Sequence, residues 1–135
     1  MKRRITYIAV SAIFAAYIVA VLCLTLLDLS DKTPELPKYF LGIPMDKIAH
    51  FLMFLPYPVI AYIAFRPSGE RKWAHLLVLT AVFAVGIGMA IGTERLQGLA
   101  DYRSYEIEDF YADVFGMECS SLITALYIII KKHKT

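Results

Sequence analysis

Long apolar runs, separated by short stretches of charged residues, dominate the pattern of this chain. Four runs stand out, at residues 5–27, 48–65, 73–97 and 109–130. Each is close to the roughly 20 residues that a helix needs to cross a hydrocarbon layer of about 30 Å. Since backbone polar groups cannot stay unpaired in lipid, such segments should be helices. The pattern predicts an all-α fold, an integral membrane four-helix bundle that forms a single domain over residues 1–135.

Residues inside the runs refine this prediction. Pro56 and Pro58 should kink the second helix, because their rings remove backbone hydrogen bonds. Gly88 and Gly92, four apart in the third helix, with Gly86 before them, give that helix a flat side for close helix contact, which we expect within the bundle rather than between copies. Glu118 is an acid near the middle of the fourth helix. A helix–helix hydrogen bond and a proton relay are the two explanations for it.

Composition agrees with a membrane environment. Apolar residues make up 59% of the chain, and the mean hydropathy is +0.58. A soluble globular domain contains roughly 45–50% apolar residues. Water is therefore not the expected solvent for most of this surface.

Basic residues fall unevenly between the runs. If the chain starts in the cytoplasm, the cytoplasmic segments hold nine of the 14 basic residues, with Glu70 as their only acid. The opposite side then holds five basic and ten acidic residues. The positive-inside rule favours this topology, with both termini cytoplasmic. Because each basic group adjoins a membrane helix, anionic lipid is the expected partner and nucleic acid is not.

The same topology gathers polar residues near the extracytoplasmic ends of three helices. Residues 94 and 97 share one side of the third helix, and residues 109 and 113 share one side of the fourth. His50 lies about one turn below the start of the second helix. The candidate ligand-binding residues are Asp46, Lys47, His50, Glu94, Gln97, Arg103, Asp109 and Asp113.

These residues fall into three short motifs. The motifs are D-K-x-x-H-F-x-x-F from Asp46 to Phe54, E-x-x-Q at Glu94 and Gln97, and, beyond Arg103, D-x-x-x-[D/N]-x-x-G from Asp109 to Gly116. Their order and spacing resemble the VanZ-like family of small bacterial membrane proteins. The resemblance covers residues 46 to 130 and implies a multi-pass protein of the bacterial cytoplasmic (inner) membrane. It also implies a link to glycopeptide resistance, because the family is named after an accessory protein associated with raised teicoplanin resistance. The family usually has Asn where this chain has Asp113.

Two chemistries fit the candidate residues. The side chains of His50, Glu94, Asp109 and Asp113 are oxygen and imidazole donors that could bind a divalent cation. Alternatively, Arg103, with Lys47 and His50, could hold a phosphate at the level of the lipid headgroups. No residue arrangement indicates a covalent nucleophile, and the sequence leaves open whether the protein is an enzyme.

Three functional hypotheses remain open at this point. The leading one is recognition or modification of an envelope lipid or lipid-linked intermediate at the extracytoplasmic side. The second is a non-enzymatic scaffold or accessory protein whose polar residues only stabilise the bundle; Asp46, Lys47 and Asp109 have simple structural explanations as helix-end residues. The third is transport, which a chain of this length would perform only as an oligomer. The sequence does not predict the oligomeric state.

Overall fold

The computed structural model describes residues 2–27, 37–69, 71–101 and 104–131. Its helices are α1 (Lys2–Leu26), α2 (Met45–Phe54), α3 (Tyr57–Phe65), α4 (Lys72–Gly98) and α5 (Ile107–Ile130). Two antiparallel strands of two residues each, β1 (Tyr39–Phe40) and β2 (Ile43–Pro44), precede α2. With α2 and α3 taken as one unit, the described chain has 4 helical segments long and apolar enough to cross a membrane. The prediction of an all-α chain with four apolar helices is confirmed.

The second apolar segment is broken at its prolines, as expected. The helix α2 ends at Phe54 and α3 begins at Tyr57. Pro58 lies in the first turn of α3. Backbone N–H groups in a first turn have no partner within the helix, so the missing N–H of proline costs nothing there. Backbone hydrogen bonds from Leu55 to Phe51 and from Ile60 to Pro56 keep the break tight. The two short helices therefore act as one bent segment.

Side-chain contacts show that α1 runs antiparallel to the α2–α3 segment. At the middle of α1, Phe14 packs edge-on against Phe65, with ring centroids 5.4 Å apart. One turn later, the Tyr17 hydroxyl donates to the Met53 carbonyl. A core of apolar side chains joins these helices to α4 and α5; it comprises Val21, Phe54, Tyr57, Ala61, Val82, Ala90 and Met117.

Close packing of α4 involves one of the three glycines predicted for it, Gly86. A Cβ atom at Gly86 would collide with the Met117 sulfur and would lie 2.5 Å from the Tyr57 ring. A Cβ atom at Gly88 or Gly92 would meet nothing within 4 Å. The expectation of close packing is confirmed for Gly86 and is wrong for Gly88 and Gly92, because Gly86 lies on the side of α4 that faces the core and the other two do not.

Glu118 lies on the outer surface of α5. It makes no hydrogen bond or ion pair with the residues that the structure describes. A helix–helix hydrogen bond within the described bundle is therefore not the explanation for this acid.

Candidate functional site

Four buried ionisable residues, here called the inner cluster, lie where α2, α4 and α5 meet. His50 belongs to α2, Glu94 to α4, and Asp109 and Asp113 to the first two turns of α5. Their exposed fractions are 2% for His50, 1% for Glu94, 5% for Asp109 and 0% for Asp113. Residues from three separate sequence motifs thus share one interior space.

Gly116 determines how closely α5 approaches α2 at the inner cluster. A Cβ atom at this position would lie 2.5 Å from the Phe51 carbonyl oxygen and 3.2 Å from the Leu55 amide nitrogen. Asp113 precedes Gly116 by three residues and therefore lies on the same side of α5. The missing side chain lets α5 touch the α2 backbone, which brings Asp113 next to His50.

His50 lies among three carboxyl groups. Its Nδ1 atom is 2.9 Å from Oδ1 of Asp113, a hydrogen bond, and 3.8 Å from Oε1 of Glu94. Its Nε2 atom is 3.6 Å from Oδ2 of Asp109, which is too long for a hydrogen bond. With Asp113 ionised, its carboxylate can only accept, so the proton of this hydrogen bond is on Nδ1. In the neutral imidazole, the lone pair is then on Nε2 and faces Asp109.

Lys47 closes the inner cluster on its more exposed side. Its Nζ atom donates to Oδ2 of Asp46 at 3.1 Å and also contacts Glu106 and Asp109. A further carboxylate oxygen, from Glu108, lies 3.8 Å away. A lysine shared among so many carboxylates is not free to hold a phosphate. The charge of Lys47 instead offsets negative charge at the more exposed side of the inner cluster.

Glu94 is the least satisfied member of the inner cluster. Neither of its carboxyl oxygens accepts a hydrogen bond from a described residue, and neither does Oδ2 of Asp113. The backbone amide of Glu106 faces Glu94 but does not meet hydrogen-bond geometry. An unpaired buried carboxylate costs several kcal/mol, so such a group calls for a proton or a cation. Arg103, expected to reach over these acids, lies outside the described residues.

Gln97 is buried, but its amide group serves another helix. Its Nε2 atom donates to the Thr25 carbonyl oxygen at 2.7 Å. Thr25 belongs to the last turn of α1, where carbonyl groups have no partner within the helix. Gln97 therefore ties α4 to α1, whereas Glu94, three residues earlier, faces the inner cluster.

The sequence pattern did not single out Glu106, which contacts Lys47. This residue immediately precedes α5, with extended backbone angles of φ −125° and ψ 113°. An acid at the start of a helix complements the helix dipole, which hides any second role from a sequence pattern. Its spacing of three from Asp109 was the available signal, since both carboxylates can then reach the same cation.

Negative charge predominates around the inner cluster. Within the described residues, the carboxylates outnumber the basic groups that contact them. The acids are Asp46, Glu94, Glu106, Glu108, Asp109 and Asp113, and the basic groups are Lys47 and His50. The local field therefore attracts a cation, and an anionic group would need a cation between itself and these acids.

A cavity of about 380 Å³, here called the cleft, reaches the inner cluster from the side. Its lining combines two polar groups with four apolar side chains, and consists of Leu24, Asp46, Ala49, His50, Leu52 and Met53. Sites that bind small molecules are mostly apolar, with a few polar groups that fix orientation. A ligand in the cleft would meet His50 before any other member of the inner cluster.

Comparison with known proteins does not establish a family. No family model matches the chain, and no solved structure matches it. The chain is similar to a Schizosaccharomyces pombe protein described as uncharacterized, with 27% identity over 82 residues. The matched part is 61% of this chain and 48% of the yeast protein. The chain therefore spans about half the length of that relative, whose description assigns it no ligand or reaction.

Proposed function

We propose that the chain crosses the bacterial cytoplasmic membrane four times, with both termini in the cytoplasm. The four long apolar helical segments support this. So does their outer surface, on which large apolar side chains such as Ile8, Leu77, Ile123 and Ile130 are more than half exposed. Lipid solvates such a surface, whereas in water apolar areas of this extent drive association.

Charge at the two ends of the bundle supports the proposed orientation. The end away from the inner cluster contains a cavity of about 530 Å³, with Arg66, His75 and Lys131 in its lining and no acid among its described lining residues. The start of α1, at Tyr7, contributes to the same cavity. The positive-inside rule puts this basic end in the cytoplasm and the acidic inner cluster on the extracytoplasmic side.

The function that the geometry supports best is recognition of a membrane lipid or lipid-linked envelope intermediate. The observation that carries this proposal is the cleft, a mostly apolar space with His50 in its lining. The hydrocarbon chain of a lipid would lie against Leu52 and Met53, while its polar headgroup would reach His50. An amphipathic ligand matches both parts of the lining, which a soluble metabolite does not.

Kinship with the VanZ-like family is part of the same proposal, together with its link to teicoplanin resistance. In support, residues from all three motifs contribute to one site, namely His50, Glu94 and Asp109 with Asp113. The similarity to a fungal protein favours a ligand that many membranes share, such as a phosphate-bearing headgroup, over one restricted to the bacterial cell wall.

A membrane scaffold is the second candidate function. Lys47 joins α2 to α5, and Gln97 joins α4 to α1. Polar contacts of this kind hold helices together without any ligand. A scaffold predicts that removing any member of the inner cluster lowers stability. A ligand site predicts that Glu94→Gln and Arg103→Ala variants retain wild-type stability and lose bound lipid.

Blocking the cleft tests lipid recognition without altering the inner cluster. Ala49 is exposed and lines the cleft, so Ala49→Trp should fill it. We expect this variant to lose the lipid that copurifies with the wild-type protein in mild detergent, as measured by native mass spectrometry. Ala16→Trp is the matched control, because Ala16 is exposed on α1 and lines neither cavity. Equal lipid occupancy in the Ala49→Trp and wild-type proteins would refute the proposal.

A further inference from the structure

Three side chains of the inner cluster have the arrangement of a metal-ligand set. His50, Glu94 and Asp109 each offer one nitrogen or oxygen atom, and these atoms all lie within 4.8 Å of one another. All three residues are buried. They come from three different helices, so the bundle holds them in place before any ligand arrives.

The unsatisfied oxygens of Glu94 provide independent support for a ligand in this space. Both oxygens of this carboxylate lack a hydrogen bond from the described residues although the residue is only 1% exposed. Lys47 cannot serve as the missing partner, because it is occupied by Asp46, Glu106 and Asp109. A carboxylate that binds a metal ion needs no hydrogen-bond donor. A buried acid without a donor among the described residues is therefore expected at a cation site.

The orientation of His50 suits metal binding. Asp113 accepts a hydrogen bond from Nδ1 at 2.9 Å, which fixes the tautomer and leaves the Nε2 lone pair available. A carboxylate behind a ligating imidazole is the usual outer partner in metal sites. The distance of 3.6 Å from Nε2 to Oδ2 of Asp109 is close to the ~3.4 Å that separates two ligands of a tetrahedral ion at about 2.1 Å.

We propose that His50, Glu94 and Asp109 bind one divalent first-row metal ion, and that Asp113 is a positioning residue that orients His50. One imidazole with two carboxylates is a mixed nitrogen and oxygen donor set, which suits Zn²⁺ or Mn²⁺ better than the all-oxygen sites of Ca²⁺. The lipid-binding role of this ion rests on the proposed function. Its positive charge would let a phosphate headgroup in the cleft approach an acidic interior.

A more exposed set of acids is the main competitor for the same ion. Asp46, Glu106 and Asp109 also offer three oxygens within 4.8 Å of one another. Lys47 already offsets part of the charge of this outer set, since it contacts all three of its acids, whereas Asp109 is its one contact among the described residues of the inner set. The inner set is therefore favoured, and its imidazole nitrogen distinguishes the two sets experimentally.

Mn²⁺ binding to the purified full-length protein tests the proposal. The protein is stripped with a chelator in detergent and titrated with Mn²⁺ without added lipid, while electron paramagnetic resonance measures the free ion. We expect one bound ion per chain, with echo modulation from one coordinated imidazole nitrogen. Binding without a nitrogen signal would assign the ion to the outer acids and overturn the proposal, as would no saturable binding.

Variants then assign the ligands. Glu94→Gln preserves shape and removes a ligand, so we expect Mn²⁺ affinity to fall at least tenfold, and Asp113→Asn should cost about 10–100-fold. Glu108→Gln is the control, because this exposed acid lies 3.8 Å from Lys47 and is outside the ligand set. Wild-type affinity in Glu94→Gln would refute the assignment.

The wild-type titration decides the proposal even if a variant fails to fold. The Ala49→Trp protein separates the two proposals, because it should bind Mn²⁺ normally while losing lipid. Loss of lipid with normal Mn²⁺ binding supports both proposals. Wild-type lipid occupancy in this variant, with normal Mn²⁺ binding, would refute lipid binding in the cleft and support the metal-site proposal alone.

Discussion

Replacing Gly116 with alanine should push α5 away from α2. The new Cβ atom would lie 2.5 Å from the Phe51 carbonyl oxygen, and ordinary contact begins at 3.4 Å, so the helices must separate by about 0.9 Å there. Backbone atoms cannot rotate aside as a flexible side chain would. Overpacking of this kind costs about 1–3 kcal/mol, while alanine regains up to about 1 kcal/mol of helix propensity. With the full propensity gain, the net loss in the free energy of unfolding is up to about 2 kcal/mol.

Gly88→Ala is the matched control, since a Cβ atom there meets nothing within 4 Å. It should gain the same helix propensity without a clash, so Gly116→Ala should be less stable than Gly88→Ala by the overpacking cost alone, about 1–3 kcal/mol. Denaturant unfolding in detergent, followed by circular dichroism and by the fluorescence of Trp73, the single tryptophan, measures the difference. Equal stability of the two variants would refute the close approach of α5 to α2.

Three further predictions concern the surroundings of the inner cluster. Lys47→Met should lower the free energy of unfolding by about 2–4 kcal/mol, because it leaves the buried carboxylate of Asp109 without its lysine partner; an unchanged denaturation midpoint would contradict the ion-pair geometry. Gln97→Leu should cost about 1–2 kcal/mol in the same assay, because the hydrogen bond from Gln97 to the carbonyl of Thr25 is lost; wild-type stability would show that this bond contributes nothing. In a background without the two native cysteines, an impermeant thiol reagent should label Ser104→Cys and not Ser68→Cys in intact cells, and the opposite result would reverse the proposed orientation.

Local patterns predicted the helices because length and apolarity are properties of each segment by itself. The break between α2 and α3 also followed from the two prolines. The rotation of each helix about its axis is a different matter, since it depends on neighbouring helices. Spacing alone therefore grouped Gly86 with Gly88 and Gly92, whereas of these three only Gly86 packs against Tyr57 and Met117.

The candidate site shows the same division between local and tertiary information. Helical spacing predicted that Asp109 and Asp113 share one side of α5, and both contact groups on α2. Spacing also paired Gln97 with Glu94, but one turn of helix separates a residue that bonds α1 from one that faces the inner cluster. A sequence pattern can predict which residues share a side, but not which neighbouring groups they meet.

The central claim is that the inner cluster is a ligand site and not a structural contact. Denaturant unfolding of the wild-type and Glu94→Gln proteins, each with chelator and with Mn²⁺, tests it most directly. With chelator, Glu94→Gln should be at least as stable as the wild type, because it removes an unsatisfied buried carboxylate. Mn²⁺ at 100 times its dissociation constant should stabilise the wild type by about 2.7 kcal/mol and leave Glu94→Gln unchanged. A destabilised Glu94→Gln protein, together with no effect of Mn²⁺ on the wild type, would contradict the claim and favour a scaffold.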